Sequence, residues 1–172
     1  MVFLQRFGTY GNHLGFETER AVPTVTFCGY RWSMSTSPTS SSRPRGAPQL
    51  LPYLYYADAR MALEFLINAF GFNEIEAFRD DDGTVWHAQL STGDAIVMIG
   101  PALDDFGTRP IADPAWATSR TFVYVDDPDE HCERAREAGA TILTEPCDLG
   151  PNHIYIAGDC GGHQWIFARP LA

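Results

Sequence analysis

From residue 47 onward, hydrophobic and polar positions run through one pattern twice. The first copy opens YLYYADARMALEFLINAFGF and the second FVYVDDPDEHCERAREAGAT. At an offset of 69, Tyr55 meets Tyr124 and Asp58 meets Asp127; with one residue deleted, Gly71 meets Gly139. Each copy begins with a strand-like run, 51–56 and 121–125. Asp58 and Asp127 then predict helix N-caps, the second reinforced by Pro128 at the first helical position and Glu130 at the third. Ala62, Phe65, Leu66, Ala69 and Phe70 fall at i, i+3, i+4, i+7 and i+8, a single apolar stripe. Cys132, Ala135 and Ala138 make a thinner stripe in the second copy. Gly71 and Gly139 are placed to stop the helices. Three strands follow each helix: 74–78, 85–90 and 95–99, then 141–143, 153–157 and 164–168. Asp82-Gly83, Thr92-Gly93 and 159–162 supply turns. Each copy therefore reads strand–helix–three strands, and the expected fold class is α+β: two βαβββ modules, 50–100 and 120–170, whose curved mixed sheet surrounds a cleft. Pro101, Pro110 and Pro114 mark 101–119 as the linker.

The chain ahead of this repeat has another character. Residues 34–49, with Ser, Pro and Arg and few large apolar groups, cannot bury enough surface to offset ordering entropy and are expected to be disordered. In 1–33 the apolar patch AVPTVTFCGY has no evident pairing segment, and Met34 suggests a natural start, so 1–33 is expected to come from a start codon placed too early.

Composition narrows the partners. The 172 residues are 45% hydrophobic and 20% charged, globular values. No apolar run approaches the roughly 18 residues of a membrane span, and no secretory signal is legible. Residues 47–172 hold 7 Arg and no Lys against 20 Asp and Glu, a net of −13, whereas 1–46 carry +3. An acidic body repels phosphates, which argues against nucleic-acid and anionic-membrane partners. Cys28, Cys132, Cys147 and Cys160 show no CxxC spacing and read as reduced thiols, consistent with a cytoplasmic location.

The βαβββ repeat and the closing string Asp159-Cys160-Gly161-Gly162-His163-Gln164-Trp165-Ile166-Phe167 resemble the vicinal oxygen chelate superfamily of glyoxalase I, bleomycin-resistance proteins and extradiol dioxygenases. LPYLYYADARMALEFLINAFGF and WHAQLSTGDAIVMIG look most like its PhnB-like members. The resemblance spans about residues 50–170. Cys160, where proline is usual, and GPNHIYIAGD depart from it. Catalytic members of the family hold one divalent metal with four side chains, two on first strands and two on last strands. Counted from the capping aspartates, those positions are Leu51, Arg120, Met98 and Ile166, or Val97 and Phe167 after a slip of one. None is a good divalent-metal ligand, so no metal and no cofactor are expected. An unconventional site from His87, His153 and His163 is the competing arrangement.

If Thr92-Gly93 is a two-residue loop, Ser91 pairs with Asp94, Gln89 with Ile96 and His87 with Met98, which places His87 and Gln89 on the cleft side with Met98. Alternation adds Tyr53 and Tyr55 from the first copy and Arg120, Phe122 and Tyr124 from the second. Tyr155 matches His87 at an offset of 68. The expected ligand-binding set is thus Tyr53, Tyr55, His87, Gln89, Met98, Arg120, Phe122, Tyr124 and Tyr155, an aromatic pocket suited to a small organic molecule. No nucleophile stands beside His87, so no catalytic residue is assigned; as a base it is the candidate under an enzymatic reading of the glyoxalase or dioxygenase type. Arg120 suits either a ligand carboxylate or one of the chain's own. Cys160 reads as an inert thiol, and 80–83 as a solvated turn rather than a calcium loop. The functional expectation is a metal-free small-molecule-binding protein, a homodimer like many relatives, with the cleft built within one chain or between two; the alternatives are an enzyme and an accessory domain with an unfilled cleft.

Overall fold

The computed structural model describes residues 24–27, 30–33, 48 and 50–171. The chain divides into two compact units, 1–45 and 46–172. In the first, β1 (Thr24–Phe27) and β2 (Tyr30–Ser33) pair antiparallel, Thr24 opposite Ser33 and Phe27 opposite Tyr30. The apolar patch thus pairs with its own continuation. The remainder of 1–33, and almost all of 34–49, lie outside the described residues.

The second unit carries the repeat. Its first module is β3 (Tyr53–Tyr56), α1 (Ala59–Phe70), β4 (Asn73–Arg79), β5 (Val85–Thr92) and β6 (Ala95–Pro101). A short 3₁₀ turn, Asp104–Phe106, lies in the linker. The second module is β7 (Arg120–Tyr124), α2 (Pro128–Glu137), β8 (Thr141–Leu149), β9 (Asn152–Gly158) and β10 (Gln164–Pro170). The sheets run β3-β6-β5-β4 and β7-β10-β9-β8. Each has one parallel pair, between first and last strands, and two antiparallel pairs. The two sheets are separate four-stranded mixed sheets with no closed barrel, as an α+β repeat requires.

The helix ends follow from sequence. The Asp58 carboxylate accepts from the Met61 amide at 2.9 Å, and Asp127 accepts from Asp129 and Glu130 at 3.0 and 3.2 Å. Gly71, at φ 69°, closes α1 in the left-handed region that a β-carbon disfavours. Strand β8 runs six residues past its expected end and crosses Pro146. It is an edge strand with two register shifts, where a missing amide donor is tolerated.

One core serves both modules. It joins Ala62, Leu66 and Phe70 of α1 and Cys132 and Ala135 of α2 to the inward residues of both sheets, among them Leu90, Ile99, Trp165 and Phe167. The Phe70 ring lies 4.8 Å from Phe167 and 5.7 Å from Trp165, so the end of α1 packs on the second module. The inner faces of both sheets therefore look toward this shared core, and their outer faces are turned away from each other.

Candidate functional site

The outer face of the first sheet is built from β3, β5 and β6. Tyr53 pairs with Met98, and Met98 with Gln89. The turn after β5 is Gly93-Asp94 and not Thr92-Gly93, since Thr92 pairs with Ala95. Moving the turn by one residue slides the pairing by two, so Gln89 meets Met98 and His87 comes level with Gly100. Two residues is a whole pleat, and His87, Gln89 and Met98 keep the common face expected of them.

Here Tyr53 and Tyr55 stack with centroids 4.8 Å apart, and the Tyr53 hydroxyl lies 3.0 Å from His87 Nδ1. Phe78 of β4 adds a ring 5.8 Å from His87. Burial lowers the His87 pKa, opposed by the Glu76 carboxylate, so at neutral pH the imidazole is uncharged. Gly100 makes the Tyr53–His87 contact possible: a β-carbon there would lie 2.7 Å from the Tyr53 hydroxyl and 3.2 Å from the Trp86 carbonyl. Gly100→Ala is expected to push the Tyr53 ring off β6 and uncover His87. Its pKa should then rise toward about 6.5, readable by an NMR titration of the imidazole.

The outer face of the second sheet carries Arg120, Phe122 and Tyr124 on β7. Phe122 pairs with Ile166, and Ile166 with Ile156. Phe122 and Tyr124 meet edge to face at 5.2 Å. Below them Ile154, Ile156 and Ala168 form a second apolar cluster with Ile166. Neither Ile154 nor Ile156 belongs to the set expected from sequence. Carrying the Met98–Gln89 pair onto Ile166–Ile156 finds them, because the module offset is 67 on this strand and not 68. The same shift removes Tyr155. It is fully buried on the inner face, where its hydroxyl bonds His131 Nδ1, so it lines no cleft within this chain.

The nine expected residues thus separate into three places. Tyr53, Tyr55, His87, Gln89 and Met98 share one outer face; Arg120, Phe122 and Tyr124 share the other; Tyr155 lies in the core. No ring contact joins the two outer faces among the described residues. The helices pack between the sheets, and that turns the faces apart.

The closing string acts mainly as an inter-module fastening. Asp159, 7% exposed, accepts from the Tyr56 hydroxyl at 2.7 Å, from Trp165 Nε1 at 2.9 Å, and from the amides of Gly161 and His163, both at 2.9 Å. Tyr56 belongs to β3 and the other three to the second module. His163 Nε2 lies 3.0 Å from the Tyr55 carbonyl. Burial, with Asp159 alongside, pushes the Cys160 thiol up to about 11, which leaves it protonated at neutral pH. In the 80–83 turn, Asp80 and Asp82 accept from the Thr84 amide, and Asp80 also holds the Trp86 indole.

The histidines are held apart. His87 meets Tyr53, His163 meets Tyr55, and His153 lies between Asp148 at 2.5 Å and Asp129 at 2.9 Å. The pKa of His153 is raised, chiefly by its bond to Asp148. Among the described residues no three His, Cys, Asp or Glu side chains gather to hold a metal. At the four positions where the resemblance implies ligands, Leu51 precedes β3, Arg120 opens β7, and Met98 and Ile166 pair with Tyr53 and Phe122. Two aliphatic groups, a thioether and a guanidinium do not fit a divalent ion.

Comparison with known proteins agrees with this architecture. An uncharacterized protein of Mycobacterium bovis is 28% identical over 128 residues, covering 72% of this chain and 84% of its own. The crystal structure of TioX from Micromonospora sp. ML1 superposes with a TM-score of 0.58 at 31% identity, covering 73% of this chain and all of that one. TnmS3, an antibiotic binding protein from Streptomyces sp. CB03234, shares the fold at 18% identity with a TM-score of 0.56, covering 70% of this chain and 93% of its own. A family model matches residues 47–167, and with these findings the chain belongs to the Glyoxalase/Bleomycin resistance protein/Dioxygenase superfamily.

Proposed function

We propose that this protein binds a small aromatic or amphipathic molecule without a metal, as a homodimer, between the outer face of one copy's first sheet and the outer face of the other copy's second sheet. The observation that carries the reading is a pair of aromatic faces open to solvent on one chain, with Tyr53 38%, Phe122 46% and Tyr124 65% exposed. Apolar surface of this kind marks an interaction site. A two-fold dimer brings the unlike faces together twice, giving two equivalent clefts. Strands β3 and β7, which carry most of these rings, are also unpaired sheet edges. On the single chain an open recess at the β7 edge is lined by Tyr124, Val125, Asp126, Arg169 and Pro170. Another concavity, between α1 and the β4–β5 hairpin, is lined by Arg60, Glu64, Glu74 and Arg79 together with Leu63, Ile67 and Val85, and holds none of these rings.

The side chains at the four ligand positions support metal-free binding. The antibiotic-binding description of TnmS3 supports a small-molecule role on the shared fold. Free thiols at Cys132, Cys147 and Cys160 and the acidic body support a cytoplasmic protein without nucleic-acid or membrane partners, and the sequence kinship to PhnB-like members belongs to the same reading. No described helix is long and apolar enough to cross a membrane.

The test uses N-phenyl-1-naphthylamine, a neutral aromatic fluorophore. In the presence of EDTA its emission should rise saturably, reach about one probe per chain, and the probe should be recovered unchanged. Binding or turnover that appears only after adding Zn, Mn or Fe would overturn the reading.

A further inference from the structure

Arg120 opens β7 on the same outer face as Phe122 and Tyr124. Its Nε donates to Gln164 Oε1 at 2.9 Å. Gln164 is itself fixed: it is 4% exposed, and its Nε2 donates to the Pro114 carbonyl at 2.9 Å. The linker and β10 therefore hold one edge of the guanidinium and leave both terminal nitrogens without a hydrogen-bond partner among the described residues. The partner at Nε matters. A carboxylate there would orient the arginine and neutralise it, whereas the amide of Gln164 orients it and leaves the full charge.

That charge is not neutralised within the described chain. Residues 47–172 carry 20 carboxylates and 7 arginines. Arg60, Arg79, Arg109 and Arg136 each pair with a carboxylate. Arg120, like Arg134 and Arg169, has none within ion-pair distance among the described residues; what sets Arg120 apart is its place on the strand face of Phe122 and Tyr124. It lies two residues from one exposed ring and four from the next, on alternate positions of one strand face.

We infer that Arg120 is the anion-recognising residue of the cleft, and that the ligand is an aromatic molecule bearing an oxyanion, its carboxylate or equivalent group held end-on by the two terminal guanidinium nitrogens and its ring against Phe122. The inference rests on the small-molecule reading and adds the ligand's charge to it. The fork geometry of arginine suits a planar two-oxygen group, and Phe122, with Ile166 beside it in register, offers the apolar surface for the ring.

A matched pair of probes tests it: N-phenyl-1-naphthylamine, and 8-anilinonaphthalene-1-sulfonate, which carries the same rings with an added sulfonate. Wild-type protein should bind the sulfonate at least about tenfold more tightly at low salt, and the preference should shrink as salt is raised. Arg120→Gln should bring the affinities for the two probes to equality, the ratio being read within each protein; Arg120→Lys should restore part of the preference. Equal affinities in the wild type, or a preference that survives Arg120→Gln, would overturn the inference and leave Arg120 to a carboxylate of the second copy. The salt series on wild-type protein tests the ligand's charge even if one variant fails to fold, and Arg120→Lys then tests the residue. Failure of the neutral probe to bind at all strikes the small-molecule reading itself. Binding of the neutral probe without preference for the sulfonate strikes only the assignment of Arg120.

Discussion

Replacing Asp159 with alanine is expected to destabilise the protein by about 4 kcal/mol, the loss typical of removing one partner from a buried charged network. The carboxylate accepts four hydrogen bonds, from Tyr56, Gly161, His163 and Trp165. Alanine leaves the Tyr56 hydroxyl and the Trp165 indole N–H buried without partners. It also severs β3 from the turn before β10, so the two modules lose a shared anchor. Thermal unfolding should show a fall in Tm of roughly 10–20 °C. An asparagine side chain at this position keeps one acceptor for the two amides but turns an NH₂ toward the Trp165 donor. The stability of Asp159→Asn should therefore fall between alanine and wild type. Gly161→Ala attacks the same anchor sterically: its β-carbon would lie 2.3 Å from Cδ1 of the buried Tyr56 ring. A melting point within about 3 °C of wild type for Asp159→Ala would mean that this network contributes little.

The second large effect is acid lability centred on His131. Its Nε2 faces the Phe70 carbonyl at 3.2 Å, an acceptor only, so Nε2 carries the proton and Nδ1 accepts from the Tyr155 hydroxyl. The ring is 6% exposed, and burial, with Arg134 nearby, lowers its pKa to about 4. In the unfolded chain the value is about 6.5. Between these values the unfolded state binds the extra proton, so stability falls as pH drops from about 6.5 to about 4, in total by roughly 3 kcal/mol. His153 acts in another window. Its pKa is raised, so its contribution is complete below about 6.5 and is lost as pH rises through its folded value. Denaturant unfolding at pH 7.5 and 4.5 separates the two. His131→Gln should be clearly less stable than wild type at pH 7.5, and the gap should narrow at pH 4.5. A gap independent of pH would show that His131 does not titrate on unfolding.

Much of this fold was legible in local chemistry. The Asp58 and Asp127 caps, the Gly71 stop and the apolar stripe of α1 each depend on neighbours a few residues away, and each is realised. Strand faces were legible too, because the pleat repeats every two residues: the turn slipped by one residue, yet His87, Gln89 and Met98 kept their shared face. Tyr155 shows where this fails. Its face depended on a single offset carried across the helix, the bulged β8 and a hairpin, and one residue of drift sends a side chain to the opposite side of the sheet. The packing of the modules was not legible at all. Whether the sheets enclose a cleft within one chain depends on contacts such as Phe70 with Trp165 and Tyr56 with Asp159, between residues far apart in the chain. No local pattern encodes these, so residues read as one pocket lie on two outer faces.

The central claim is that the site forms between the first-sheet face of one chain and the second-sheet face of another, and mixing two crippled proteins tests it most directly. One carries Tyr53→Ala with His87→Ala, the other Phe122→Ala with Tyr124→Ala, and neither alone should bind N-phenyl-1-naphthylamine. After equal amounts have exchanged subunits, half the dimers are mixed, and each mixed dimer has one intact cleft, so about one quarter of the wild-type sites should return. No recovery in a sample whose subunits have demonstrably exchanged would contradict the account and place the site within a single chain.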